Sequence, residues 1–152
     1  MEKSIQGRIL ALDVGKRRIG LAISDPLGIT AQGLETLERT NLREDLARLA
    51  QLAAERGVRL FLVGLPLHMS GDESAQSAFV RDFASRLAAA AGVPVEFWDE
   101  RLTSKEAERA LREGNATLQR KKRSVDRMSA MLLLESYLGA MESANPWEPP
   151  GA

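Results

Sequence analysis

The chain has 152 residues, 44% hydrophobic and 28% charged, with 21 basic and 21 acidic side chains and a formal net charge of zero. That profile fits one globular domain with a continuous core and excludes a disordered chain or a global field that would draw in a polyanion. With no cysteine and one histidine, His68, disulfides, thiolate chemistry and His- or Cys-based zinc are excluded; any metal must rest on oxygen ligands, which points to Mg²⁺ or Mn²⁺.

The apolar run from Arg8 to Leu12 ends at Asp13, Gly15 and Gly20 frame Lys16, Arg17 and Arg18, and a second apolar run follows from Ile19 to Ile23. This pattern predicts a β-hairpin over 8–13 and 19–24 with an acid at the end of its first strand and a basic tip. Asp25-Pro-Leu-Gly28 is a turn signal before a third strand at 29–37. Asn41 and Glu44 give a capping pattern for a helix carrying Leu46, Leu49, Ala50 and Ala53, stopped by Gly57. Val58–Val63 reads as a buried strand, and Gly64–Asp72 as a loop by its glycine and proline.

An alanine-rich helix is expected over 73–91, with Val80, Phe83, Ala84 and Leu87 on its apolar face and Gly92 at its end. Residues 93–100 read as a strand whose Pro94 sits near the start, where it costs least. Thr103–Glu106 has the capping-box form and predicts a short helix to Glu113. A last helix runs from Ser124 to Ser143, with Met128, Met131, Leu132, Leu134, Tyr137 and Leu138 as core candidates. One domain over 1–143 and a flexible proline-rich tail over 144–152, with Trp147 in it, follow. Strands separated by helices imply parallel pairing through crossovers, and the opening hairpin adds an antiparallel part. The fold class is α/β, a mixed sheet with helices on both faces. No stretch approaches a membrane span and no signal peptide opens the chain, so a cytoplasmic location and no membrane partner are expected.

Three acids stand out. Asp13 ends the first strand, Asp99 and Glu100 end the last, and Asp126 falls in the first turn of the final helix. Ligands of α/β sheets bind beyond the strands' carboxyl ends. If the first and last strands are neighbours, Asp13 and Glu100 project into one cleft, and the helix can bring Asp126. Such a trio can hold one or two divalent cations that activate a water against a phosphodiester. Each acid also has a plainer reading. A first-turn Asp complements the helix dipole, a strand-end acid is often only solvated, and strand alternation lets at most one of Asp99 and Glu100 face the site. Residues 114–125 contain no acid and carry Arg120, Lys121, Lys122 and Arg123 just before Asp126. Such a run is usually a solvated loop; beside a catalytic acid it would contact phosphates.

Together these residues resemble the YqgF/RuvX family of Holliday-junction-resolvase-like nucleases. The matching stretches are Leu12 to Pro26, Val63-Gly-Leu-Pro-Leu67 with Gly71, Asp99-Glu-Arg-Leu-Thr103, and Lys122-Arg-Ser-Val-Asp126 with Ala130, four in the expected order. The resemblance implies a ribonuclease H-like fold, a five-stranded sheet whose first three strands are antiparallel. It also implies that Asp13, Glu100 and Asp126 form a metal-binding catalytic triad, and that the activity lies in 5′-end maturation of pre-16S rRNA, with junction resolution as the alternative. Ser104 stands where the family often has Thr, and His68 where Asn is common; neither departure touches the triad.

The expected chemistry is therefore a metal-dependent nuclease. Lys16, Arg17, Arg18 and the 120–123 run would hold the backbone of structured RNA or a DNA junction, and Arg101 and Thr103 would orient Glu100 or the scissile phosphate. A ribosomal particle is a further expected partner, with the protein acting as a monomer or a homodimer. Two other classes compete. A sugar-kinase-like ATPase shares the Asp-x-Gly hairpin, but needs two such domains and would turn over ATP. A non-catalytic RNA- or ribosome-binding protein would bind RNA without cutting it.

Overall fold

A computed structural model of the chain describes residues 7–68, 70–100 and 118–144, the side chains of 118–127 and 142–144 excepted. Its elements in chain order are β1 (Arg8–Val14), β2 (Arg18–Ser24), β3 (Ala31–Glu38), α1 (Leu42–Arg56), β4 (Val58–Leu65), α2 (Ala75–Ala91), β5 (Val95–Asp99) and α3 (Leu118–Ala144). The strands form one sheet in the order β3-β2-β1-β4-β5. β1–β2 and β2–β3 are antiparallel, while β1–β4 and β4–β5 are parallel.

Alternation along β1 splits the core into two layers. Leu10, Leu12 and Val14 face one side with Leu49 and Ala53 of α1 and Val80, Phe83, Ala84 and Leu87 of α2. Ile9 and Ala11 face the other side with Leu60 and Leu62 of β4 and Ala130, Leu133, Leu134 and Tyr137 of α3. Burial of both faces explains why β1 and β4 read as continuous apolar runs.

Local signals set the helix ends. The Asn41 side chain accepts from the Glu44 N–H, and Gly57 closes α1 in the left-handed conformation at φ 65°. Glu44 does not complete a reciprocal box; its carboxylate takes the Thr40 hydroxyl at 2.7 Å. Ser74 caps α2 with a full capping box to Ser77, so the helix starts at Ala75 rather than at Glu73. Glu73, left outside, pairs with Arg81 at 2.9 Å.

Two further boundary shifts bear on the site. β4 runs through Gly64 to Leu65, because ladder pairing with β5 continues past the residues that resemble a loop. α3 begins at Leu118, so the run Arg120–Arg123 lies on helical backbone, not in a solvated loop, and Asp126 sits in the third turn, not the first. Leu118 to Arg123 are nearly all good helix formers, which accounts for the earlier start. The expected helix at 103–113 and the tail from Asn145, with Trp147, lie outside the described residues. Among the described residues no helix is long and apolar enough to cross a membrane.

Candidate active site

Asp13 is half-buried near the C-terminal end of β1, in register with Gly20 of β2. By alternation it shares the face of Ile9 and Ala11, the face covered by α3. On β5, Glu96 accepts from the Tyr137 hydroxyl at 3.2 Å and Trp98 donates to Ser136 Oγ at 3.0 Å, so even-numbered positions face α3. Glu100 follows directly after β5 and its side chain comes to this face over Gly64, whereas Asp99, the last strand residue, has the opposite parity.

β1 and β5 are not neighbours, since β4 lies between them. The gap is closed by Gly64 on β4, paired with Trp98. Leu60 and Leu62 fill the α3 face of β4, and at the next inward position there is no side chain. The Glu100 carboxyl lies in that space: a Cβ on residue 64 would stand 2.6 Å from its Oε1 and 2.8 Å from its Cγ. From there Glu100 hydrogen-bonds the Asp13 carboxyl across β4.

Burial raises the Glu100 carboxyl to about 9, helped first by the hydrogen bond and the charge of Asp13 and then by the charge of Asp99. Two carboxyls in contact cannot both ionise without a counter-charge, and a proton fills that role here. A hard divalent cation would serve the same need, and the donor set is all oxygen. The pair therefore fits Mg²⁺ or Mn²⁺. Among the described residues no three acids or histidines cluster.

The side chain of the third expected ligand, Asp126, lies outside the described residues; its backbone belongs to α3.

The basic residues divide. Lys16 and Arg17 are exposed at the hairpin tip, three and four residues past Asp13, while Arg18 is half-buried at the start of β2 opposite Glu38. The tip is tight: the Gly15 N–H donates to the Arg18 carbonyl at 2.9 Å, and a Cβ on Gly15 would come within 2.8 Å of that oxygen. Arg101 and Thr103, and the side chains of Arg120, Lys121, Lys122 and Arg123, lie outside the described residues. His68 is exposed in the loop after β4, where its N–H and carbonyl hold the turn to Asp72 and Gly71. Trp98 is half-buried and packs against the α3-side core, edge-on to Tyr137 at 5.3 Å.

Sequence reasoning missed Gly64 and the pair Arg39–Asp45. An isolated glycine in an apolar run marks close approach, which was the available signal for Gly64. Asp45 occupies the same i, i+4, i+8 stripe as the buried Leu49 and Ala53, and it is itself fully buried.

Residues 7–140 match the family model described as RuvX: Holliday junction resolvase. A Koribacter versatilis protein named "Putative pre-16S rRNA nuclease" is 51% identical over 135 residues, 89% of this chain and 88% of that protein. A Symbiobacterium thermophilum protein of the same name is 44% identical over 139 residues, 91% of this chain and 96% of that one. Among solved structures, T. thermophilus RuvC in complex with a Holliday junction substrate matches with a TM-score of 0.57 at 16% identity, over 90% of this chain and 97% of that one. The Fowlpox virus resolvase with Holliday junction DNA matches with a TM-score of 0.55 at 11% identity, over 88% and 98%. At those identities the likeness is one of fold, the ribonuclease H-like sheet with helices on both faces. With a family model spanning nearly the whole described core and relatives above 40% identity, the chain belongs to the RuvX family.

Proposed function

We propose that this chain is a divalent-metal-dependent nuclease that hydrolyses phosphodiester bonds in the 5′-end maturation of pre-16S rRNA. The observation that carries the reading is the contact of the Asp13 and Glu100 carboxyls at the C-terminal ends of β1 and β5, beside an exposed cationic hairpin. The names of the relatives at 51% and 44% identity favour RNA as the substrate.

Asp13 and Glu100, with Asp126 as the third ligand, would hold Mg²⁺ or Mn²⁺. A divalent cation bound there supplies Lewis-acid stabilisation of the charge that builds on the phosphate oxygens. Glu100 must ligate as a carboxylate, so its proton has to leave, and affinity for the cation rises with pH. Lys16 and Arg17 hold backbone phosphates without reading sequence. Arg18 and the Arg120–Arg123 run would add contacts to the phosphate backbone, and Arg101 and Thr103 would orient Glu100 or the scissile phosphate. A ribosomal precursor particle is the natural context for such a substrate, in a cytoplasmic setting.

The test is cleavage of a labelled precursor-like RNA and of a four-way DNA junction, each with Mg²⁺, Mn²⁺ or EDTA, by wild type and Asp13→Asn. Metal-dependent RNA cutting lost in the variant supports the proposal. Preferential cutting of the junction would move the activity to junction resolution. Full cutting by Asp13→Asn, or RNA binding without cutting by wild type, would overturn it.

A further inference from the structure

We infer that Arg39 is a positioning residue for nucleic-acid binding, holding the backbone of the hairpin tip that carries Lys16 and Arg17. This rests on the reading of that tip as a phosphate-binding element.

Arg39 follows β3 and uses both its backbone and its guanidinium on the tip. Its N–H donates to the Arg17 carbonyl at 2.9 Å, and its Nη1 donates to the Gly15 carbonyl at 3.0 Å. The two carbonyls flanking Lys16 are thus held by one residue. The guanidinium is itself fixed from behind. Its Nε donates to Asp45 Oδ2 at 2.9 Å, with the Arg39 side chain 12% and the Asp45 side chain 1% exposed. The Phe83 ring lies 4.9 Å and the Phe79 ring 5.8 Å from its centre. The second Asp45 oxygen accepts from the Thr40 N–H at 3.1 Å, so the buried carboxylate is satisfied on both sides.

This arrangement exceeds what fold stability asks of the position. A buried ion pair is weak as a stabiliser, since desolvation offsets most of its Coulomb gain. What it does supply is direction. The planar guanidinium serves a carboxylate, a carbonyl and two ring faces at once, which an ammonium cannot. The exposed Lys16 and Arg17 would otherwise lose backbone freedom on binding a phosphate; a tip already held pays less of that cost. The clamp grips from the α1/α2 face, leaving the α3 face, where Asp13 and Glu100 meet, free of it.

The experiment measures affinity for a labelled precursor-like RNA stem in EDTA over a salt series. It compares wild type, Arg39→Lys, the double variant Lys16→Ala/Arg17→Ala, and all three changes combined. Arg39→Lys, which keeps the charge, is expected to weaken binding about tenfold. The tip variant weakens binding and lowers the salt slope by about two. The combined variant should bind no worse than the tip variant alone, because Arg39 acts through the tip. Mn²⁺ affinity, read separately by calorimetry, should be the same in Arg39→Lys as in wild type. Additive losses, or wild-type affinity in Arg39→Lys, would overturn the inference while leaving the tip's role intact. Wild-type affinity in the tip variant would overturn the phosphate reading and the inference with it. If Arg39→Lys does not fold, Arg39→Met/Asp45→Leu removes the clamp while replacing the buried pair with apolar groups, and the same tenfold loss is expected.

Discussion

Glu100 lies directly over the bare backbone of Gly64, so close that a methyl group there would stand 2.6 Å from Oε1 and 3.0 Å from Cδ. The contact is between a catalytic candidate and a residue with no functional group. β4 separates the strands that carry Asp13 and Glu100, and only the missing side chain at 64 lets the two carboxyls meet over it.

Gly64→Ala should therefore displace Glu100 rather than unfold the sheet, because strand backbone tolerates alanine and the obstructing atoms belong to one side chain at the edge of the core. A displacement of about 1 Å at a reacting centre can cost roughly 10²-fold in rate. We expect a loss of that order in RNA cleavage, together with weaker Mn²⁺ binding by calorimetry and an essentially unchanged far-UV spectrum. Full activity in Gly64→Ala would mean that Glu100 can work from another position.

Asp13→Asn should separate function from stability. Cleavage should fall by about 10³-fold or more, since a metal ligand is lost. The metal-free protein, however, should gain on the order of 1 kcal/mol at pH 8, because the Asp13 charge that helps force Glu100 to keep its proton is removed. Chemical denaturation in EDTA reads the gain. A destabilised Asp13→Asn would show that Asp13 serves the fold more than it strains it.

How the site assembles was only partly legible in the sequence. The strand-end acids, the basic hairpin and the α2 stripe of Val80, Phe83, Ala84 and Leu87 follow from local periodicity, and the buried set in α2 matches them. The insertion of β4 between β1 and β5 is a non-local pairing, and no local pattern encodes it. Gly64 stands beside Pro66 and near Gly71, so composition points to a loop although the ladder runs on to Leu65. In α3 the residues Ala130 and Leu133 are fully buried while Met128 and Leu132 are only half-buried. Small or adjacent apolar residues leave the stripe's phase ambiguous by a position. Asp45 lies in the first turn of α1, where an acid also suits the helix dipole, so its place on the buried stripe does not by itself point to Arg39 as its partner.

The opposite end of the sheet supplies a control. Asp25 closes the β2–β3 turn, accepting from the N–H groups of Ile29 at 2.6 Å, Thr30 at 2.7 Å and Leu27 at 3.3 Å. The Thr30 N–H, more than the others, holds its carboxyl below the usual 3.8. A depressed carboxylate adds stability above its unfolded value and loses it as pH falls through the folded one. Asp25→Asn should thus lower the melting temperature at pH 7, and the deficit should shrink below pH 4. RNA cleavage per folded molecule should not change, since the turn lies at the N-terminal end of β1. A cleavage defect there would indicate that substrate reaches across the whole sheet.

The raised carboxyl of Glu100 predicts an opposite pH dependence. Exposed in the unfolded chain it ionises near 4.5, whereas in the fold it holds its proton to about 9. The folded state binds the extra proton across that window, so the free energy of unfolding falls as pH rises. The contribution is fully present below 4.5 and is lost as pH rises through about 9. In EDTA, wild type should lose stability between pH 6 and 9 relative to Glu100→Gln, which cannot ionise. Adding Mg²⁺ at pH 8.5 should restore much of the wild-type loss by providing the counter-charge, and should do nothing for Glu100→Gln beyond its residual affinity. Parallel pH profiles for the two proteins in EDTA would mean that Glu100 ionises normally in the fold. The carboxyl contact would then be one that opens readily, and metal binding would not depend on displacing its proton.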